Sequence, residues 1–424
     1  MYRILKFCKY LIPLGIEPII LTPEDPNTMS RDDSALSLIP EGVKVIRTDT
    51  LEPFRIKKNK AKSPTTQTAK PESPPASPLK PSLLSSVKKR IRQCLSVPDS
   101  SYFWIWYGYR PAVDIIKKEN IDIVLSSSPP HSVHVLASRI ARKTGRPHIV
   151  DFRDLWTQNT SYEELNLPLF LKRRDRNFER KILRNARTIT VNTETFKNQL
   201  IENNRFLNSE QIEVIANGVD PDDFRDMLSE VKPNNKFTML YTGSLYGRHR
   251  NPQFFLEAVR NWIDKKPEIK SQIKIVFIGN WTPEFYSLID KYNLSEIVDR
   301  KGWMPQTEAL KATFTANLLL LFQGFDPALS AAIPRKLFEY MITNKPIMAF
   351  APPGEIPNVI DEYKCGVCFS EPSPEPIIDF LDKNFDRWKN RDNSKPPTPV
   401  LRSMPKLETA TQVGKLAELI RGII

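Results

Sequence analysis

The feature that most constrains this chain is an alternation. Short apolar, β-rich runs trade places with helical patterns along most of its 424 residues. Strand candidates lie at 18–22, 43–47, 121–126, 148–152, 188–192 and 213–216, then at 237–242, 274–278, 318–322 and 346–350. Helical patterns fall at 3–14, 131–143, 174–186, 251–265 and 307–316. Apolar strands alternating with such helices indicate parallel sheets covered on both faces, an α/β fold. Two series occur. The segment 217–236 divides them and carries the turn signals Asn-Gly, Asp-Pro and Pro-Asn-Asn. A chain of this length holds two domains, each with its own core.

Composition excludes several classes. Four cysteines make a disulfide scaffold a poor fit and point to a reducing compartment. No apolar run approaches the ~20 residues needed to span a bilayer, and no signal peptide is visible. The net charge of +13 suits an anionic membrane surface, phosphorylated ligands or nucleic acid. No nucleic-acid-binding motif accompanies it, so membrane or phosphate is the better expectation.

The stretch 57–83 is polar and rich in Pro and Ser, a composition that cannot bury a core and predicts disorder. A basic amphipathic segment, 84–95, follows it, with Trp104, Trp106 and Tyr107 close behind. That pattern fits a membrane-surface patch. It fits a helix packed on the domain slightly better. A second loose stretch, 390–406, precedes an amphipathic C-terminal helix.

Chemistry concentrates between Ile333 and Phe350, which reads as a short helix, a turn at Asn344 and a buried strand. Pro334 suits the first helical turn. Leu337, Tyr340 and Met341 repeat at helical spacing and face a core. Arg335, Lys336 and Glu339 then sit near a helix start that favours an anion. Two cations there suit a diphosphate, and a carboxylate one turn later suits the hydroxyl pair of a ribose. Upstream, Leu240-Tyr-Thr-Gly-Ser-Leu-Tyr-Gly-Arg-His-Arg leaves a strand candidate. Gly243 and Gly247 permit close backbone approach. Ser244, Arg248 and Arg250 fall beyond a strand's carboxyl end, where open parallel sheets bind ligands. A plain surface turn with solvated arginines fits those residues equally well. The loop Gly302-Trp-Met-Pro, with Met304, follows a strand that ends near Val298 and offers an apolar seat for a nucleobase.

These segments occur together in a familiar order. Asn217-Gly-Val-Asp, Thr242-Gly-Ser-Leu, Ile278-Gly-Asn, Gly302-Trp-Met-Pro and Lys336-Leu-Phe-Glu-Tyr with Lys345-Pro-Ile resemble glycosyltransferase family 4. In the first half, Ser126-Ser-Ser-Pro-Pro-His and Pro147-His-Ile-Val-Asp-Phe-Arg-Asp-Leu-Trp resemble a bacterial or archaeal surface-polysaccharide subgroup. The resemblance implies a GT-B fold: two Rossmann-like domains facing across a cleft, at 1–217 for the acceptor and 218–404 for the donor. Residues 405–424 would form a helix returning to the first domain. It implies retaining transfer of a sugar from a nucleotide-diphosphate donor to a glycan or lipid-linked acceptor, without a bound metal or cofactor. The setting would be cytoplasmic, in peripheral contact with an anionic membrane, with no nucleic-acid partner. Glu339 matches the carboxylate on the donor ribose and Arg248 the cation on the leaving diphosphate. Lys336 or Arg250 is its companion. Asp151 and Arg153, in the loop that approaches the transferred sugar, are expected to be catalytic with Arg248 and Lys336. His131 and Asp154 lie on the acceptor side.

Two departures stand out. The family often carries a second acid eight residues before Glu339, where this chain has Ala331. The first strand and Gly-rich loop expected before the helix at residue 3 are also missing, which fits a truncated sequence better than a natural loss. A non-catalytic nucleotide- or glycan-binding relative is the alternative these departures leave open. An Arg–Asp pair merely holding its loop, and a packing role for His131, also remain open. Cys365-Gly-Val-Cys368 lacks the second pair a zinc ribbon needs, and reads as ordinary packing.

Overall fold

The computed structural model describes residues 2–25, 38–51, 97–159, 165–231, 234–245, 250–391 and 400–424, with Leu36, Cys94 and Tyr162. The 57–83 stretch and the basic 84–95 segment, Cys94 apart, lie outside the described residues. So do Arg248, His249 and 392–399.

The chain divides into two compact units. One comprises Met1–Asn192, Lys197–Val214 and Leu416–Ile424; the other comprises Thr193–Phe196 and Ile215–Lys415. In the first unit, α1 (Tyr2–Leu11) is followed by β1 (Ile19–Pro23), β2 (Lys44–Thr48), α2 (Trp104–Lys118) and β3 (Val124–Ser128). Next come α3 (Ser132–Thr144), β4 (His148–Phe152), α4 (Leu169–Asn185), β5 (Thr188–Val191), α5 (Glu194–Asn203) and β6 (Ile212–Val214). All strand pairs are parallel. They form two sheets, β1-β2 and β3-β4-β5-β6, so β1 and β3 each keep an edge without a strand partner among the described residues. Every residue of β4 and β5 is buried, as expected for parallel strands covered on both faces. Helix α2 was not among the helical patterns, because Pro111 and the aromatic cluster at its start obscure the period.

The second unit begins its sheet with β7 (Phe237–Thr242), then α6 (Gln253–Lys265), β8 (Ile273–Ile278), α7 (Pro283–Lys291) and β9 (Val298–Gly302). It continues through α8 (Gln306–Thr315), β10 (Leu318–Phe322), α9 (Arg335–Met341), β11 (Ile347–Phe350), α10 (Glu355–Glu362), β12 (Gly366–Phe369) and α11 (Pro374–Lys389). Val298 therefore opens a strand, where the sequence suggested that one ends; the polar run Asp-Arg-Lys makes β9 unrecognisable by apolar pattern. It is an edge strand, and polar residues suit an edge.

The six strands run β12-β11-β10-β7-β8-β9, all parallel. Leu318, Leu320 and Phe322 of β10 pack into one core cluster, while Leu319 and Leu321 pack into the other. The period of two thus fills both faces of one strand. Strand order reverses between β7 and β10, and ligands of open α/β sheets bind beyond the strand ends at such a point. The chain closes with α12 (Thr409–Arg421), whose last turns group with the first unit, where Arg421 donates to the Leu14 carbonyl at 2.6 Å.

Candidate functional site

In the second unit, backbone turns bring β7, β8 and β9 together at their carboxyl ends. Gly243 N–H donates to the Ile278 carbonyl at 2.7 Å, and Gly279 N–H to the Gly302 carbonyl at 2.7 Å. Gly243 and Gly279 hold φ of +123° and +132°, which side-chain-bearing residues rarely adopt. A Cβ on Gly279 would lie 2.4 Å from the Gly243 oxygen, so glycine is what permits this approach.

Helix α9 is anchored against these turns. The Tyr340 hydroxyl accepts from Thr242 N–H at 2.8 Å and lies 3.0 Å from the Thr242 hydroxyl. Leu337, Tyr340 and Met341 are fully buried, as their spacing predicts. Pro334 stands just before the helix, in extended conformation, and Arg335 opens it. Asn344, in the turn beyond, takes the left-handed conformation at φ +57°.

This anchoring aims Lys336 beneath Gly243. Its ammonium donates to the Thr242 carbonyl at 2.8 Å and to the Tyr241 hydroxyl at 3.0 Å, over the Tyr241 ring. A Cβ on Gly243 would come within 2.5 Å of that nitrogen. Burial, then the Arg250 charge, push the Lys336 pKa down to about 7, and Glu339 opposes them. Lys336 thus sits at the threshold of losing its charge at neutral pH. Glu339 pairs with Arg335 at 3.0 Å and accepts from Gln306 at 3.3 Å. Ser244 receives the Tyr241 hydroxyl on its carbonyl, and Met304 packs half-buried against the neighbouring core. Lys336, Glu339, Arg335, Arg250 and the Gly243–Ser244 turn are therefore one constellation. Sequence reasoning missed Tyr241, Thr242 and Gln306 as parts of it. Tyr241 lies inside an apolar strand run, and nothing local marks its hydroxyl.

Ala331 is fully buried, with its carbonyl accepting from the Thr193 hydroxyl at 3.0 Å. Cys365 is buried and Cys368 half-buried, both as free thiols whose pKa values burial pushes up to about 11 and about 12.

The first unit gathers a different set. Asp151, 1% exposed, accepts from Arg3 at 2.9 and 3.1 Å, from Ser127 at 2.6 Å and from Thr190 at 2.7 Å. Burial alone would raise its pKa; Arg3 and the two hydroxyls overcome it and hold the carboxyl below its usual value. Asp151 thus pairs with Arg3 and not with its neighbour Arg153. Arg153 donates to the carbonyls of Ser128 and Pro129, and Asn192 binds its own carbonyl. Burial raises the Asp154 pKa against the pull of Arg153.

His131 stacks on Trp156 with ring centroids 5.0 Å apart. Burial, then Arg153, push its pKa down to about 4. It immediately precedes α3, whose start is held by Asp99, accepting from Ser132 N–H at 2.8 Å and its hydroxyl at 2.7 Å. The Ser126 hydroxyl sits 2.7 Å from both His134 Nδ1 and His148 Nε2.

A sheet order that reverses beside a glycine turn marks the ligand crevice of many open α/β sheets. Family-level comparison decides among them. Residues 2–223 match the model for Glycosyltransferase Family 4, and residues 222–396 match that for Glycosyl transferases group 1.

The chain belongs to glycosyltransferase family 4.

Its fold is GT-B. Sucrose-phosphate synthase from Thermosynechococcus elongatus is similar at 13% identity, over 99% of this chain and 87% of that one, with a TM-score of 0.55. WaaG, a glycosyltransferase involved in lipopolysaccharide biosynthesis, is similar at 15% identity, over 99% of this chain and 95% of that one, with a TM-score of 0.55. No curated protein matches this family member in sequence. No helix among its described residues is long and apolar enough to cross a membrane.

Proposed function

We propose that this family 4 member transfers a sugar, with retention at the anomeric carbon, from a nucleoside-diphosphate donor to a glycan or lipid-linked acceptor. The observation that carries the reading is the placement of Lys336 and Glu339 one turn apart on α9, under the Gly243 turn and beside the strand-order reversal. As the bond to the anomeric carbon breaks, negative charge grows on the leaving diphosphate. Lys336 and Arg250 are suited to stabilise it, as is Arg248 by its place in the sequence, and a charge held in place, as that of Lys336 is, acts without reorganisation. They fill the electrostatic role that a metal ion fills in other transferases. Glu339 is suited to the ribose hydroxyls, and the loop at Met304 to the base.

Asp151 and Arg153 are read as positioning residues, because their polar atoms are committed to protein partners. His131 and Asp154 border the acceptor side of the same loop. Peripheral contact with an anionic membrane at the inner face of the cell suits the net charge of +13 and the exposed Trp106, Leu169 and Phe170.

Thermal stabilisation by a panel of nucleoside diphosphates and nucleotide sugars tests the donor assignment, since a ligand that binds the native state raises stability by an amount set by its affinity and concentration. At least one nucleoside diphosphate should raise the melting temperature of the wild type and not of Lys336→Met. A panel without effect on the wild type refutes the reading.

A further inference from the structure

A recess of about 450 Å3 opens in the first unit between α4, α5 and the loop after β4. Its lining includes Gln158, Arg176, Glu179, Arg180, Asn203 and Asn204. Its size falls within the ~300–1,000 Å3 of small-molecule sites, yet its lining reverses their usual apolar character. No aromatic or aliphatic side chain faces a base or an acyl chain there, so the wall suits a ligand that is polar all round.

The hydrogen-bonding capacity left over defines that ligand. Asn203 and Asn204 each spend one amide N–H, on the carbonyls of Gln199 and Leu200, which leaves a second N–H and the amide oxygen of each for a ligand. Gln158 lines the recess, but its Oε1 is shut off from solvent, so a ligand meets this residue through its other atoms. Glu179 is committed: both its oxygens accept from Thr157. Arg176 and Arg180 form no hydrogen bond or ion pair with any described residue. They stand one turn apart on α4, so both forks reach the same side of the recess. Spare acceptors for hydroxyls and two spare guanidinium forks for an anion describe one kind of molecule.

We propose that this recess binds a pyranose carrying one anionic group, a carboxylate or a phosphate, with its hydroxyls on Gln158, Asn203 and Asn204 and its anion on Arg176 and Arg180. Placing that sugar in the acceptor glycan rests on the transferase reading; the binding itself does not.

The test uses the full chain and four probes: glucuronic acid, glucose 6-phosphate, glucose and inorganic phosphate. Ligand-observed NMR measures affinity for the wild type, Arg176→Ala, Arg180→Ala and the double variant. Both exposed arginines are replaceable without a fold penalty, and a thermal melt checks this. At least one anionic sugar should bind more tightly than glucose and inorganic phosphate, and should lose about tenfold or more in the double variant. Which of the two anionic sugars binds distinguishes a uronic acid from a sugar phosphate. Equal binding of inorganic phosphate overturns the sugar assignment, and so does an affinity indifferent to both arginines. Binding by neither anionic sugar overturns the site altogether. Nucleoside-diphosphate stabilisation should be the same in the double variant as in the wild type. Its loss across all proteins, with sugar binding intact, would count against the donor reading and leave the recess standing.

Discussion

Raising the pH above 7 should weaken nucleoside-diphosphate binding as Lys336 loses its charge. Its pKa in the free protein is pushed down to about 7 by burial and by Arg250. A diphosphate beside the ammonium favours the charged form and lifts the pKa back towards its ordinary range. Binding then takes up a proton wherever the free lysine is neutral: about half a proton at pH 7 and about nine-tenths at pH 8. Between pH 8 and 9 the affinity should fall by nearly tenfold, or about 1.4 kcal/mol. The ligand does not confuse this range, because the second ionisation of a terminal phosphate is complete near pH 6–7. Calorimetry at pH 8 in Hepes and in Tris, whose ionisation enthalpies differ, counts the protons directly. Wild type should show an enthalpy difference equal to about 0.9 of the buffer difference, and Lys336→Met none. Identical wild-type enthalpies in the two buffers would refute the argument, since Lys336 would then either be charged already or not meet the phosphates.

Four further outcomes follow from particular contacts. Glu339→Ala should weaken nucleoside-diphosphate binding by about tenfold or more, because ribose hydroxyls lose a charged acceptor; unchanged affinity in calorimetry removes Glu339 from the site. Gly279→Ala should destabilise the protein by about 1–3 kcal/mol in urea unfolding, given a Cβ 2.4 Å from the Gly243 oxygen at a φ of +132°; a loss near zero would mean the turns separate freely. Arg3→Ala should cost about 3–5 kcal/mol by stranding the buried Asp151 carboxylate, and Arg3→Ala combined with Asp151→Asn should cost less than the sum of the two changes. Finally, His148 and Glu179 should tilt acid stability in opposite directions. Burial pushes the folded pKa of His148 down to about 4, so the unfolded chain binds its proton first and stability falls as pH drops from about 6.5 to 4. Burial raises Glu179 to about 7, so the folded chain binds its proton first and stability rises as pH drops from 7 to about 4.5. Urea midpoints at pH 7, 6 and 5 should therefore fall more steeply with acid in Glu179→Gln and less steeply in His148→Gln, by about 1.4 kcal/mol per pH unit each; parallel profiles for all three proteins would contradict both burial arguments.

Buried strands were legible in both units: β4, β7 and β10 have the bounds that the apolar runs suggested, because a parallel strand buried on both faces leaves a continuous apolar signature. The α9 constellation was legible because Arg335, Lys336 and Glu339 are local, four residues apart at most. Edge strand β9 was not legible, since one exposed side relaxes the demand for apolar residues. Helix α2 was hidden by an internal proline. The partners of Asp151 could not be foreseen either. Arg3 lies 148 residues away, and no local pattern couples an arginine in the first helix to an aspartate at the end of a strand.

That contrast bears on where each kind of residue acts. Lys336 makes two protein hydrogen bonds and keeps a third donor for a ligand, within a turn that glycine alone permits. Asp151 has the greater burial and a fuller set of partners: two bonds from one guanidinium and two from hydroxyls. A carboxylate with that many fixed donors is held in its charged form and offers little further bonding capacity, so it serves to hold β3, β4, β5 and α1 in register. A group poised near its own pKa with a donor to spare can respond to substrate. By this criterion α9 is the element proposed to meet the donor, and Asp151 a residue that holds the strands around it.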